Sequence, residues 1–227
     1  MPNHCDNRLY VRGDVKQLDE FMRQISTDNA DKYEISSLVP MPEALVGTDS
    51  PTPKSSEPDP NWATLLAKGE MTQEWYDELV TKQKNRYESG QKLFAETGYR
   101  NWYDWAIQNW GTKWGDYNHY SVIRNDDGQF GIEIGYETAW SPFIPTFWEK
   151  VSAMFPDLEF VVVYEEPGMC FAGSEKYKNG ETVFEACLDD YTKTLPEVDW
   201  DNDDSFEAFH QAKTDLLDQL YEQADLA

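Results

Sequence analysis

A chain of 227 residues, 40% hydrophobic and 15% aromatic, is long enough for one large domain or two small ones built on a ring-rich core. It holds no run of about eighteen apolar residues, which excludes a membrane-spanning helix. Forty-three acids against nineteen bases give a net charge of −24, a field that repels nucleic acid and anionic membranes, because both are bound by cations that neutralise phosphate.

The opening MPNHCDN has neither the basic nor the apolar stretch of a secretory signal. Cys5, Cys170 and Cys187 are too few and too scattered for a disulfide framework, and reduced thiols of a cytosol fit them. Asn7–Arg12 alternates, with Leu9 and Val11 on one face, and Gly13-Asp14 stops it as a first strand and turn. Val15, Leu18, Phe21, Met22 and Ile25 follow at helical spacing behind Asp14 as N-cap. Tyr33–Val39 reads as a second strand ended by Pro40-Met41-Pro42, which makes residues 1–42 a β-α-β opening.

Residues 43–116 read as an exposed loop and a helical insertion. Ser, Pro, Asp, Thr and Gly fill 47–60, which suits no packed element. Helical spacing resumes after Thr72, an N-cap, through Trp75, Leu79 and Tyr87; a second helix spans roughly 89–97, and a third carries NWYDWAIQNWGTKW at 101–114. From Tyr120 the period becomes two. Ser121–Arg124 and Gln129–Tyr136 flank the turn Asn125-Asp126-Asp127-Gly128. A helix begins near Pro145, Leu158–Tyr164 is a buried strand, and Cys170–Lys178 with Thr182–Leu188 form a hairpin around Asn179-Gly180. Residues 117–188 thus run β-β-α-β-β-β. Residues 189–227 read as an acidic loop or flexible arm and a helix from Asp204 or Ser205, with Phe206, Phe209, Leu216 and Leu220 as its buried stripe and the stem of Lys213 among them.

Four passages, MPNHCDNRLYVRG, NWYDWAIQNWGTKWG, ETAWSP and FPDLEFVVVYEEPGMCFAG, resemble as a set the YubB-type family found in phages and plasmids, over most of residues 1–187. The resemblance implies a ferredoxin-like domain in the C-terminal part and a mobile-element protein, and it brings no catalytic residues. The expected fold class is α+β: a ferredoxin-like antiparallel sheet with a Trp-rich helical insertion and an acidic C-terminal helix.

Charge placement gives the leading functional expectation. Residues 181–227 hold fourteen acids and two bases, so half of the net charge lies in the last fifth of the chain. Asp215, Asp218 and Glu222 have i, i+3, i+4 spacing, which sets carboxylates roughly 5–6 Å apart along one helix face. Asp199, Asp201, Asp203, Asp204 and Glu207 extend the array ahead of them. The bland reading is a solvated, solubilising face. The functional reading is a nucleic-acid-mimicking surface that occupies the basic surface of a host protein, such as a defence enzyme, in the host cytoplasm.

The alternative is a small-ligand pocket near Trp102, Trp105, Lys113 and Trp140, in which rings and one cation would hold a nucleotide-type anion. Against it, the rings of 102–114 fall on more than one helical face, with Tyr103, Ile107, Trp110 and Trp114 sharing one, as in a helix buried between layers. Gly111-Thr112-Lys113 lacks the upstream glycine of a phosphate loop. His4, Cys5, His119, Cys170 and Cys187 lack zinc-ligand spacing, so no metal or cofactor is expected; plain core cysteines are the better reading, and a Cys5–His119 nucleophilic pair is equally unsupported. Glu165-Glu166 could offer paired carboxylates for acid–base work, but neighbours on a strand face opposite ways and would not converge, so solvated turn entry is the better reading; Ser141 reads as a turn residue. An enzyme is the least favoured class. Exposed β-edges leave a homodimer open.

Overall fold

The computed structural model describes residues 3–28, 32–124, 131–199 and 201–227. In chain order the elements are β1 (His4–Gly13), α1 (Val15–Ile25), α2 (Pro60–Ala67), α3 (Gln73–Thr97), α4 (Trp102–Asn109), β2 (Asp116–Arg124), β3 (Ile132–Ala139), α5 (Pro145–Met154), β4 (Leu158–Glu166), β5 (Phe171–Lys178), β6 (Glu181–Leu188) and α6 (Asp203–Leu226). They fall into two compact units, Met1–Pro40 with Asn109–Ala227, and Met41–Gln108. The larger unit carries thirty-two acids and twelve bases, a net of −20, and the smaller one eleven and seven, a net of −4.

The larger unit is one antiparallel sheet of order β2-β3-β1-β4-β5-β6. Strand alternation sends Leu9, Ile134, Val162 and Phe160 to one face. There Phe21 of α1 meets Phe155 and Phe160, each at 5.6 Å between ring centroids, and Trp148 of α5 lies 6.0 Å from Phe160 and 6.3 Å from Tyr177. Val161, Val163 and Ala172 point to the other face, where Leu217, Leu220 and Ala224 of α6 cover them. β4 is therefore buried on both sides, which is why its sequence is a valine run and not an alternation.

Four cations hold this second face together. Arg12 Nε donates to Glu159 at 3.0 Å and its guanidinium pairs with Asp225 in the last turn of α6. Lys176 Nζ donates to the Asp225 carbonyl at 3.1 Å, a cation placed where a helix C-terminus favours one. Lys178 donates to Glu159 at 2.8 Å, and Lys213 of α6 donates to Glu165 at 3.0 Å. Burial raises the Glu159 pKa, but the bonds from Lys178 and Arg12 outweigh it and bring the carboxyl down to about 2.

Asp14 caps α1 through the amides of Lys16 and Gln17, as its position predicts. Pro145 opens α5, and the β5–β6 hairpin turns at Asn179-Gly180, both residues at positive φ. The turn expected at 125–128 lies outside the described residues. Tyr33–Val39 is not a strand: apart from one bridge, Ser26 to Tyr33, it forms a 3-10 turn at Ile35–Leu38. β2 starts at Asp116, ahead of the period-two signal, because a bulge between Tyr117 and Ser121 breaks the alternation. The cap of α6 is Asn202, which accepts from Asp204 N and Ser205 N, and not Asp204. The buried stripe of α6 is Leu217, Leu220 and Ala224; Phe206 is 41% exposed. The start of the acidic arm is anchored at Tyr191, which is buried and whose amide donates to the Cys170 carbonyl at 2.8 Å.

In the unit Met41–Gln108, Asp59 and Thr72 cap α2 and α3. α3 runs unbroken through Ser89-Gly90, where two helices were expected, and ends at Gly98 in the left-handed conformation. Asn101 begins α4 reciprocally: its Oδ1 accepts from Asp104 N and its Nδ2 donates to the Asp104 carboxylate, both at 2.9 Å. Among the described residues, no helix is long and apolar enough to cross a membrane.

Glu175 of β5 sits on the α5 side of the sheet and is buried, accepting from Tyr177 Oη. Burial is the main cause of a pKa raised to about 7; the Tyr177 bond opposes the rise and Glu185 adds to it. A carboxyl whose folded pKa exceeds its unfolded 4.5 favours the fold below 4.5 and loses that contribution as pH rises through about 7. Stability should therefore fall across this window by roughly 3 kcal/mol, and Glu175→Gln should flatten the fall and leave the protein more stable at alkaline pH. Urea unfolding across the pH range measures this; an unchanged slope in the variant would contradict it.

Candidate functional site

The eight carboxylates singled out from sequence, Asp199, Asp201, Asp203, Asp204, Glu207, Asp215, Asp218 and Glu222, are all exposed. Among the described residues none of them forms an ion pair with a base. The apolar stripe of α6 fixes their direction: with Leu217, Leu220 and Ala224 on the sheet, the positions Asp215, Asp218 and Glu222 are turned to solvent. Asp225 differs, being used internally against Arg12. The result is an acidic strip along a helix whose neighbouring cations are already engaged.

The second feature is a cleft of about 520 Å³ lined by Thr27, Lys32, Tyr33, Glu34 and Ser36 on one side and by the start of β2 on the other. Asp116 organises it. Its side chain is fully buried and accepts from Ile35 N and Ser36 N, each at 2.7 Å, which supplies partners to the amides that open the 3-10 turn. His119 Nε2 lies 2.9 Å from the same carboxylate. Burial pushes the Asp116 pKa up, but the bonds from His119, Ser36 and Ile35 win and hold it below the usual value. An ionised carboxylate only accepts, so His119 Nε2 is the donor of this contact. Gly115 makes the turn possible: its φ is +74°, and a Cβ there would fall 2.6 Å from Ser36 Oγ. The imidazole lies beside Tyr33, 6.1 Å away, and Tyr136, 6.2 Å away.

Trp114 lines this cleft and continues it onto the surface. It is 47% exposed and stacks with Trp140, 40% exposed, at 6.5 Å and 25°. Lys113 Nζ sits 4.3 Å from the Trp114 ring centre and 5.4 Å from that of Trp140. Trp140 adopts φ +69°, a conformation that costs a β-carbon residue about 1–2 kcal/mol, and its amide donates to Asn3 O at 3.0 Å. The arrangement is a two-ring platform with a cation on it, beside a cleft within the roughly 300–1,000 Å³ range of small-molecule sites.

Of the four pocket residues expected, Lys113 and Trp140 come together here, with Trp114 as the ring not chosen. Trp102 and Trp105 belong to the unit Met41–Gln108, where Trp105 is buried. Trp114 lies beyond the end of α4, so it shares no helix face with Tyr103 and Ile107. Trp110 is a core residue whose Nε1 donates to Val39 O at 2.9 Å. The Asp116–His119 pair escapes a sequence reading because residues three apart on a regular strand face opposite ways; the bulge turns both to one side.

The remaining candidates resolve simply. Of the cysteines only Cys5 is buried, and burial raises its thiol pKa, which opposes a thiolate; Cys187 is exposed. Among the described residues no three His, Cys, Asp or Glu are grouped to hold a metal. Thr112 is spent on Ala139, accepting from its amide at 3.0 Å and donating to its carbonyl at 2.8 Å, and Ser141 donates to Gly111 O at 2.8 Å. Glu165 and Glu166 are not solvated turn residues: both are buried in β4, on opposite faces, and Glu166 accepts from the amides of Gly168 and Met169.

Residues 110–212 match the family model described as the ferredoxin-like domain in Api92-like protein. The crystal structure of the protein api92 from Yersinia pseudotuberculosis is similar, with 12% identity and a TM-score of 0.46 over 83% of this chain and 98% of that one. No curated protein matches the chain. The ferredoxin-like domain expected from the aromatic strings is thus found, and it contains Lys113, Trp114, Asp116, His119, Trp140 and the start of α6.

Asp116→Asn should cost about 1.5–3 kcal/mol at neutral pH, the range for hydrogen bonds to a charged group. Because the folded pKa is depressed, the wild-type contribution is complete above the ordinary carboxylate pKa and disappears as pH falls through the folded value. Urea unfolding at neutral and acid pH should show the two proteins differing in the first condition and converging in the second.

Proposed function

We propose that this protein is a phage- or plasmid-borne accessory factor that binds and inhibits a basic host protein through the acidic strip of α6 and the arm before it. The observation that carries the reading is the exposure of eight carboxylates free of ion pairs among the described residues, on a helix whose apolar side is committed to the sheet. A periodic line of charge on a docked helix resembles the charge line of a nucleic-acid strand, and a host enzyme that grips phosphates presents the complementary cations. Lys213, Arg12 and Lys176 do not dilute the strip, since each is paired inward. Such binding is salt-sensitive, because rim charges act mainly through long-range attraction. Asp215→Asn, Asp218→Asn and Glu222→Gln combined should leave the fold intact and abolish low-salt capture of a basic, nucleic-acid-binding protein from host extract. They should also abolish the block on that protein's nucleic-acid binding. Equal capture and inhibition by the substituted protein would refute the reading.

A second reading rests on the platform of Trp114, Trp140 and Lys113 beside the Asp116–His119 cleft. A planar, anionic small molecule of the nucleotide type would stack on the indoles and meet the ammonium with its charge. At about a hundred times its dissociation constant such a ligand adds roughly 2.7 kcal/mol of stability. A thermal shift with a nucleotide panel, lost in Trp114→Ala, is the expected result; no shift with any member would remove this reading.

A further inference from the structure

The unit Met41–Gln108 holds seven bases, and two of them, Arg86 and Arg100, line one cavity of about 280 Å³. One wall is α3, whose residues Arg86, Ser89, Gly90 and Leu93 fall on a single face by their i, i+3, i+4 and i+7 spacing. The opposite wall is the segment Thr48–Thr52. Gly90 lets the two walls meet: a Cβ there would lie 2.3 Å from Thr52 Cγ2. The wall is tied at its C-terminal end, as Arg86 Nη2 donates to Pro51 O at 2.7 Å, and Thr52 Oγ1 donates to Arg100 O at 3.3 Å and accepts from Asn101 Nδ2 at 2.9 Å.

The donors of this cavity exceed its acceptors. The Arg100 guanidinium lies 5.8 Å above the Phe94 ring, and among the described residues it makes no ion pair and no hydrogen bond. The side chains of Asn85 and Ser89 also have no hydrogen-bond partner among the described residues. Among the described residues Asp49 is the one carboxylate at this cavity's wall, and it is weakly engaged: it is largely exposed and 3.5 Å from Arg86 Nε, where Coulomb attraction in water is small. Two guanidinium groups, an amide and a hydroxyl on α3 and just beyond it suit an acceptor with three or more oxygens better than a planar carboxylate with two. The volume lies below the roughly 300 Å³ at which sites for drug-sized ligands begin, so the occupant is small.

We propose that this cavity binds a phosphate-type oxyanion, either free inorganic phosphate or a phosphate monoester carrying a few carbons. The site is independent of α6 and of the Trp114 cleft. The test uses the full chain in amide-resolved NMR titration with inorganic phosphate and with a three-carbon phosphate monoester, each against chloride at equal ionic strength. Saturable shifts confined to residues 48–52 and 85–100 are expected. Arg100→Gln should weaken binding at least tenfold with an unchanged spectrum elsewhere, because among the described residues the Arg100 guanidinium makes no hydrogen bond or ion pair and lies over the Phe94 ring. Ser89→Ala, at an exposed helical position, provides a second variant and should weaken binding severalfold. Tighter binding of the ester would identify it as the source, and equal affinity would identify the free ion. Absence of saturable shifts, shifts located elsewhere, or affinity unaltered in both variants would overturn the proposal.

Discussion

An acidic helix on an acidic protein stays docked only if something offsets its repulsion from the body beneath. Here two terms do so together: Leu217, Leu220 and Ala224 close over the outer side of β4 and β5, and Arg12, Lys176 and Lys213 tie α6 to the sheet. The apolar contact supplies most of the energy, since partly exposed ion pairs contribute little each. The cations supply registry: Arg12 and Lys176 grip the last turn and Lys213 grips β4 from mid-helix, so α6 has one angular setting. That setting sends the unpaired acids outward. In a chain with nineteen bases, spending these on the interior face is what leaves the outer face so negative.

Much of the sheet was legible because its signals are local. β1, α1, β4 and the β5–β6 hairpin follow from strict periods, an Asp cap, a valine run and an Asn-Gly turn. The misreadings share a cause, which is distance along the chain. Tyr33–Val39 has the apolar content of a strand, yet the amides of Ile35 and Ser36 are satisfied by Asp116, some eighty residues later, and that contact draws a 3-10 turn. Ser89-Gly90 looks like a break between helices, but the partner that needs a glycine is Thr52. For α6 the heptad-like positions allow two stripes, and only the sheet selects the one at 217, 220 and 224.

The candidate sites divide in the same way. The acidic strip was readable residue by residue, because exposed charge needs no partner to be placed. Lys113 and Trp140 were readable as a pair, but Trp114 was assigned to a helix that ends before it. Asp116, His119 and the arginine cavity were not readable: one depends on a bulge, the other on a loop closing against a helix face. The acidic strip on α6, a ring platform and an arginine-lined cavity are three surfaces of different chemistry, and the charge of each is set locally and not by the net −24.

The position of β1 has a consequence for how the chain reaches its native state. It precedes the other five strands of its sheet along the chain and lies in the middle of that sheet, paired on one side with β3 and on the other with β4, both more than a hundred residues further along. Its partners do not yet exist while it emerges from the ribosome. The helices of 41–108, built on near-neighbour contacts, can organise in that interval, whereas the sheet must wait for a long loop to close. Until then both edges of β1, and later the inner edges of β3 and β4, are open backbone of the kind that pairs with strangers. Admitting β1 between β3 and β4 closes long loops, a kind of step that slows folding and leaves strand edges open while it is pending.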